Sequence, residues 1–329
     1  MKILIVHKAV IPVHLYGGIE RVIWDLGREL VRLGHQVVYL VKSGSHCEFA
    51  EVLPIDDAID ITAQIPEAID LVHFHFAPKN IDRVRKPYLI TIHENIITSK
   101  PFDLNTVFIS RNHAERHGSS AFVYNGLDWN QYSKPNFNRK RDYFHFLGKA
   151  AWRVKNVKGA IDIIKQTKSE KLKVLGGKRF NIKMGLRLTF SPRISFYGMV
   201  GGREKNELLN GSKGLIFPVR WHEPFGLAII ESLYFGCPVF GTPYGALPEI
   251  VGSEFGELSN KANDLVAAIE ASGSYNAKHC HEYASTTFNS NQMTLAYLAK
   301  YEQVLSGKNI NKVPPVLENL PKETFLEWH

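Results

Sequence analysis

The sequence predicts an α/β protein of two doubly wound domains, each a mostly parallel sheet with helices on both faces. Three observations lead there. At 329 residues the chain is about twice a typical domain length. Short apolar runs alternate with amphipathic stretches, as strand–helix–strand crossovers require. That alternation breaks at a polar, basic segment near the middle and then starts again.

Taken in order, Lys2-Ile3-Leu4-Ile5-Val6-His7 reads as a buried first strand. A glycine turn, Tyr16-Gly17-Gly18, leads into a helix in which Ile19, Ile23, Leu26, Leu30 and Leu33 recur at helical spacing, with Gly34 as the C-cap. Further strands are expected at 35–41, 70–75, 88–93, 106–110 and 121–124. Asn125-Gly126 is a turn, and the polar stretch around Pro135 places the interdomain linker at 133–141. The pattern restarts with strands at 143–147, 172–175, 194–197, 214–217 and 238–240. Helices fall near 157–168, 202–210, 225–235, 261–271 and 290–305. The domains are therefore drawn as 1–135 and 136–290. Residues 291–329 form a C-terminal helix, packing back on the first domain, and an irregular tail with prolines at 314, 315 and 321. Two such halves imply a ligand cleft between them at the carboxyl ends of the strands.

Composition removes several function classes. Hydrophobic residues at 44% and charged residues at 22% supply an ordinary globular core, not a disordered or repeat protein. No apolar run reaches about 18 residues, so no membrane span is expected. The N-terminus lacks the long apolar stretch and small-residue cleavage site of a secretory signal. Cys47, Cys237 and Cys280 fit no disulfide or metal spacing and read as reduced thiols of a cytoplasmic protein. The formal charge of +8 suits anionic partners: nucleotide phosphates, an anionic membrane surface or nucleic acid. The basic residues are spread along the chain, which equally fits a soluble protein with surplus lysines.

The stretch richest in chemistry runs Phe217-Pro218-Val219-Arg220-Trp221-His222-Glu223-Pro224-Phe225-Gly226-Leu227-Ala228-Ile229-Ile230-Glu231. A buried strand ends at Phe217, and Pro224 stands where a helix can begin, since the first helical N–H groups lack partners anyway. Phe225, Gly226 and Leu227 would then aim backbone N–H groups at an anion, and the positive end of the helix favours phosphate. Gly226 lets a ligand approach the backbone. Glu223 lies just outside that start and Glu231 about two turns inside, roughly 12 Å apart along the axis. Two carboxylates flanking an anion site suit the hydroxyls of a sugar on one side and a ribose on the other. The structural alternative is a helix cap and a solvated helix glutamate.

This stretch closely resembles the glutamate-x7-glutamate signature of family-4 retaining glycosyltransferases, which have the GT-B fold: two Rossmann-like domains facing across a cleft. Other segments follow in that family's order. They are Tyr16-Gly17-Gly18-Ile19-Glu20, Leu26-Gly27-Arg28-Glu29-Leu30, Leu89-Ile90-Thr91-Ile92-His93, Phe108-Ile109-Ser110, Val123-Tyr124-Asn125-Gly126-Leu127-Asp128, Gly236-Cys237-Pro238-Val239 and Gly245-Ala246-Leu247-Pro248-Glu249. The resemblance implies a nucleotide-sugar donor, with Glu231 on its ribose and Glu223 on the transferred sugar, assisted by the backbone of Phe225, Gly226 and Leu227. Gly17 and Gly18 would lie against the diphosphate, and His93 would face the reacting sugar. Lys149 and Lys155 fall where the family keeps a basic pair that neutralises the leaving diphosphate. Here lysine stands at 149 where arginine is usual, and the spacer Ala150-Ala151-Trp152-Arg153-Val154 is longer. Arg153 is thus an alternative bearer of the basic role, because lysine cannot make arginine's two-pronged contact.

His73 and His75 alternate and so share one sheet face. Without an identifiable third ligand, packing is favoured over metal binding. No Asp-x-Asp pair follows a strand, so neither a metal nor another cofactor is required. Arg83, Arg85, Lys86, Arg111 and Arg116, with His113 and His117, make the first domain locally basic. They are either a solvated face or a contact for an anionic glycan or for lipid at the inner face of a membrane. The expectation is a metal-independent retaining hexosyltransferase using a nucleotide sugar, UDP-linked by preference. Its acceptor would be a glycan or a lipid-linked glycan in cell-surface polysaccharide or lipopolysaccharide synthesis. A nucleotide-sugar epimerase of the same fold is the main rival. A nicotinamide dehydrogenase lacks its Gly-x-Gly-x-x-Gly after the first strand, and no recognised motif supports a nucleic-acid binder.

Overall fold

The computed structural model describes residues 1–13, 17–178, 190–320 and 323–329. They form two compact units, Met1–Trp129 with Phe288–Pro321, and Asn130–Thr287 with Lys322–His329. The division after Trp129 falls a few residues before the 133–141 stretch. The C-terminal piece is shared: helix and first part of the tail go to the first unit, the last residues to the second.

The first unit contains β1 (Lys2–His7), α1 (Gly18–Arg32), β2 (Gln36–Val41), β3 (Glu51–Pro54), β4 (Leu71–Phe74), β5 (Tyr88–Ile92), β6 (Thr106–Phe108) and α2 (Arg111–Glu115). Its sheet is parallel in the order β3-β2-β1-β4-β5-β6. β1 is central, with Ile3 paired to Val37 on one side and Leu71 on the other. Both of its faces are covered, so its sequence reads as one apolar run instead of alternating. α1 buries Val22, Ile23, Leu26 and Leu30. It ends in a Schellman arrangement, His35 N–H to Leu30 O at 3.0 Å and Gly34 N–H to Val31 O at 3.0 Å. Tyr16 of the expected glycine turn lies outside the described residues.

The second unit contains β7 (Tyr143–Leu147), α3 (Val157–Gln166), β8 (Leu172–Leu175), β9 (Ile194–Phe196), α4 (Gly202–Asn210), β10 (Ser212–Phe217), α5 (Leu227–Tyr234), β11 (Val239–Gly241), α6 (Leu247–Ile250), β12 (Gly256–Leu258), α7 (Ala262–Glu270) and α8 (Ala277–Thr287). Its parallel sheet runs β12-β11-β10-β7-β8-β9. Counted from each unit's first strand, both sheets have the order 3-2-1-4-5-6, the doubly wound arrangement in which ligands bind where the strand order reverses. Those switch points lie at the carboxyl ends of β1 and β4 in the first unit, and of β7 and β10 in the second.

The chain then returns to the first unit with α9 (Ser290–Leu305). Leu127 bridges to Asn289, and Ser290 N–H donates to Leu127 O at 2.9 Å, so the exit and re-entry of the chain are hydrogen-bonded together. The described part of the tail has no helix or strand, yet its backbone is anchored. Phe102 N–H donates to Pro315 O and Val316 N–H to His117 O in the first unit; Leu326 N–H donates to Arg220 O in the second.

Two expectations need correction. The strand expected at 121–124 is reduced to a single bridge, Phe122 to Phe108, because Asn125-Gly126 turns the chain at once. The helix expected from 225 begins at Leu227. Gly226 takes φ +91°, a left-handed conformation that interrupts helical propagation and favours glycine. Pro224 therefore precedes the helix and does not occupy its first turn.

Candidate active site

The second unit's switch point is built on two loops. After β10, Pro218 O accepts from Asn156 Nδ2 at 2.9 Å, Arg220 N–H donates to Val154 O at 2.7 Å, and Val219 O accepts from Thr242 Oγ1. These bonds satisfy a loop that would otherwise bury unpaired backbone groups. The Glu223 backbone is pinned by a bridge to Gly245, and Ala246 N–H donates to Glu223 O at 2.9 Å. Gly245 has φ +67°, and a Cβ there would run into the Glu223 backbone. The glycine of the Gly245-Ala246-Leu247-Pro248-Glu249 segment is thus what lets Glu223 sit where it does.

The two glutamates are both buried, Glu223 at 6% exposure and Glu231 at 2%. Each is held by a buried lysine and an aromatic donor. Glu223 Oε2 accepts from Lys155 Nζ at 2.5 Å and from Trp221 Nε1 at 2.8 Å. Glu231 Oε1 accepts from Lys205 Nζ and from the Tyr132 hydroxyl at 2.7 Å. Buried carboxylates of this kind persist only when paired and hydrogen-bonded. Lys155 Nζ also stands 4.9 Å from the Trp221 ring centre and 5.1 Å from that of Phe217, cation–π contacts that add to its fixation. Because α5 starts at Leu227, Glu231 lies about one turn inside it, not two, and the 12 Å helical estimate does not apply to a path that is half loop.

The remaining donor-side residues separate. Lys149 is exposed, its Nζ 5.3 Å from the Trp152 ring centre. Arg153 is exposed and stacks over Phe325 at 4.9 Å. The long spacer folds into successive turns, Trp152 N–H to Lys149 O and Lys155 N–H to Trp152 O, both at 2.9 Å. Those turns carry Lys155 inward and leave Lys149 and Arg153 outside. Phe225 is buried at 1% and precedes the helix; Gly226 is its N-cap and Leu227 its first residue. A shallow depression at the carboxyl ends of β8 and β9 is lined by Gly177, Lys178, Ser195, Phe196, Tyr197 and Gly198.

In the first unit, Gly17 is the N-cap of α1 and Gly18 its first residue, with Arg21 Nε donating to Gly17 O at 3.1 Å. His93 follows β5 and is buried; its Nε2 lies 2.8 Å from His75 Nδ1, so one ring donates and the other accepts. His73 bridges Tyr301 and Thr91, both at 2.8 Å, and Thr91 Oγ1 donates to the Tyr297 hydroxyl at 3.1 Å. The His73 and His75 ring centres are 4.1 Å apart, which places them on one face as the alternation predicts. Burial, reinforced by neighbouring imidazoles, pushes His73 and His75 well below the ordinary histidine range; burial, with His7 beside it, lowers His93 to about 3. These rings are neutral. Among the described residues no three His, Cys, Asp or Glu side chains are disposed to hold a metal ion.

Sequence reasoning missed Lys205, Tyr132 and the role of Trp221. Lys205 did carry a signal: it lies three residues before Leu208, on the buried stripe of α4, and a lysine there demands a counter-charge. Tyr132 carried none, standing 99 residues from its partner.

Residues 128–284 match the family profile of the glycosyl transferases group 1, a span that coincides with nearly all of the second unit. The likeness to that family is therefore carried by the second unit. Among solved structures the chain is similar to AviGT4, a glycosyltransferase involved in avilamycin A biosynthesis. The two are 20% identical over 93% of this chain and 98% of that one, with a TM-score of 0.74. It is similar to Anabaena HepE in complex with UDP-glucose, 18% identical over 93% and 100%, TM-score 0.66. It is also similar to WaaG, a glycosyltransferase involved in lipopolysaccharide biosynthesis, 14% identical over 93% and 100%, TM-score 0.63. No curated protein matches. These likenesses establish the fold, two Rossmann-like units as in GT-B glycosyltransferases. No helix among the described residues is long and apolar enough to cross a membrane.

Proposed function

We propose that this chain is a retaining, metal-independent hexosyltransferase. It takes its hexose from a nucleoside diphosphate sugar, a UDP-sugar first among them, and gives it to a glycan or lipid-linked acceptor of cell-surface polysaccharide or lipopolysaccharide. The observation that carries this reading is the pair of buried glutamates at the second unit's switch point, each fixed by a lysine and an aromatic donor. Carboxylates paired with cations accept strongly from hydroxyls, and donor sugar and ribose both present them. In this reading Glu223 takes the sugar, Glu231 the ribose, and the diphosphate lies by Gly226 and Leu227.

As the bond between the anomeric carbon and the diphosphate oxygen breaks, negative charge grows on the phosphate. A cation already in place lowers that barrier. Lys155 is the residue assigned this task, with Lys149 and Arg153 outside it. From the first unit, which takes the acceptor, Gly17 and Gly18 are assigned to the diphosphate and neutral His93 to the sugar. The acceptor hydroxyl attacks the face from which the diphosphate leaves, which retains the anomeric configuration. HepE supports the choice of UDP and WaaG the choice of pathway, each by its own ligand or role. Arg83, Arg85, Lys86 and Arg111 are the residues assigned to peripheral contact with an anionic cytoplasmic membrane face; nucleic acid has no part in this reading.

A melting panel tests it. Wild type and Glu231→Gln are heated with uridine, guanosine, adenosine and cytidine diphosphates and with NAD. A ligand at a hundredfold its dissociation constant adds about 2.7 kcal/mol, a shift of several degrees for units of this size. The expected result is a shift with one nucleoside diphosphate, lost in the variant. A shift with NAD alone would overturn the assignment.

A further inference from the structure

We infer that Lys205 and Tyr132 are positioning residues that set the discrimination of this site for a ribose carrying its hydroxyls. They act through Glu231, and the inference rests on the reading that Glu231 binds the ribose.

The argument begins with where the charge is kept. Lys205 is 7% exposed and Glu231 2%, so neither charge is solvated, and each is tolerated because of the other. Lys205 rises from the middle of α4, Glu231 from the first turns of α5, and Tyr132 from the segment that opens the second unit. Three separate pieces of backbone thus converge on one carboxylate. Both donors meet the same oxygen, Oε1. Two donors from fixed directions on one oxygen set the plane of the carboxylate as well as its position. Tyr132 is itself packed against Tyr234 and Phe235, with ring centres 5.8 and 6.5 Å apart, and the Lys205 Nζ stands 5.3 Å from the Tyr132 ring centre. The clamp is therefore rigid before any ligand arrives.

A diol read by a carboxylate needs two things of it: negative charge, so that it accepts from both hydroxyls, and a fixed orientation. The ammonium of Lys205 supplies the first, because a buried carboxyl without a counter-charge takes up a proton and becomes a donor on one side. The Tyr132 hydroxyl shares in the second. Glu223 has a clamp of the same composition, Lys155 with Trp221. There the cation is also assigned to the diphosphate; at Glu231 the lysine is assigned to the carboxylate.

The test compares uridine and adenosine diphosphates with their 2′,3′-dideoxy analogues by calorimetric titration. Proteins are wild type, Lys205→Met, Tyr132→Phe and Glu231→Gln. Wild type is expected to bind the ribose form on the order of 10- to 100-fold more tightly than the dideoxy form, the range for hydrogen bonds to a charged group. Lys205→Met should bring that ratio to within about threefold of unity by weakening the ribose form alone. The ratio should recover as pH rises and the unpaired Glu231 ionises. Tyr132→Phe should lower it by a smaller factor at every pH. If Glu231→Gln keeps the wild-type ratio, the reading of Glu231 itself fails. If Glu231→Gln loses the ratio while Lys205→Met and Tyr132→Phe keep it, the positioning role is overturned and the ribose reading stands. Should Lys205→Met not fold, Tyr132→Phe decides by the same criterion.

Discussion

The two units share a topology and differ in how they bury polarity. At the first unit's switch point the polar groups are neutral: His73, His75 and His93, linked to Thr91, Tyr297 and Tyr301. At the second unit's they are full charges in pairs, Lys155 with Glu223 and Lys205 with Glu231. The same 3-2-1-4-5-6 sheet brings both sets to the carboxyl ends of its strands, so the fold does not choose between them; the side chains do. Neutral imidazoles exchange hydrogen bonds with hydroxyls and attract no phosphate. Paired lysines and glutamates offer both an acceptor for hydroxyls and a cation for a diphosphate. The difference is what the proposed reading needs, with the acceptor on the first unit and the anionic donor on the second.

The strongest way to break this comparison is to remove one member of a charged pair. Lys155→Met leaves Glu223 buried without its cation, and the expected cost is about 3 kcal/mol or more in urea unfolding. The double variant Lys155→Met with Glu223→Gln should cost clearly less than the two single costs summed. Transfer activity should fall by at least about 100-fold in each single variant, the scale seen when one charge-stabilising group is lost. Additive unfolding costs would mean that the two charges are independent, and the contrast between the units would lose its basis.

A second prediction concerns acid. A histidine whose folded value lies below 6.5 binds fewer protons folded than unfolded, so its stabilising effect is full above 6.5 and falls as pH drops toward the folded value. For His93, lowered to about 3, the loss between pH 6.5 and pH 5 is about 2 kcal/mol. His73 and His75 act in the same direction. Amide exchange, corrected for its intrinsic pH dependence, should therefore show β4 and β5 losing protection at pH 5 relative to pH 7. β10, whose unit has one such buried histidine among the described residues against three at the first unit's switch point, should change less. His145 sharpens the point: burial also lowers it to about 3, but it lies in the second unit between Ser212 and Ser232. His145→Gln should remove most of the acid response that β7 and β10 retain.

Much of this was legible in the sequence where the local signal was long or doubled. β1 is one unbroken apolar run, and α1, α3 and α9 carry enough periodic apolar residues to stand out from any context. β3 did not, since Glu51 and Pro54 in a four-residue strand read as loop; an edge position tolerates both. α8 buries only Cys280 and Ala284, too narrow a stripe to register as a helix, although it packs on α5. In the site, Glu223 and Glu231 stood out because they flank a helix start and a glycine, and Lys155 stood out through the family resemblance. Lys205 and Tyr132 belong to Glu231 only through the fold. The spacer after Gly148 shows the limit most clearly, since its length signalled a change in the basic residues without saying which would turn inward.

The smallest effect expected tests whether the neutrality of the first unit's buried histidines extends to Asp25. Asp25 on α1 is buried, and burial raises it to about 7, against a hydrogen bond from Asp128 N–H at 3.0 Å that lowers it. A carboxyl raised in this way binds more protons folded than unfolded between 3.8 and about 7, so its contribution to stability declines as pH rises through that window, opposite in sign to the histidines. Asp25→Asn removes the titration and keeps an oxygen for the Asp128 N–H. The variant should gain roughly 1 kcal/mol over wild type at pH 8, less than the full shift implies because an amide is a weaker acceptor there. The gain should shrink toward nothing near pH 4, where Asp25 is already protonated. Melting curves of the two proteins at both pH values decide it. A gain that is equal at pH 4 and pH 8 would mean that Asp25 is ionised throughout, held by Arg21 and Arg28.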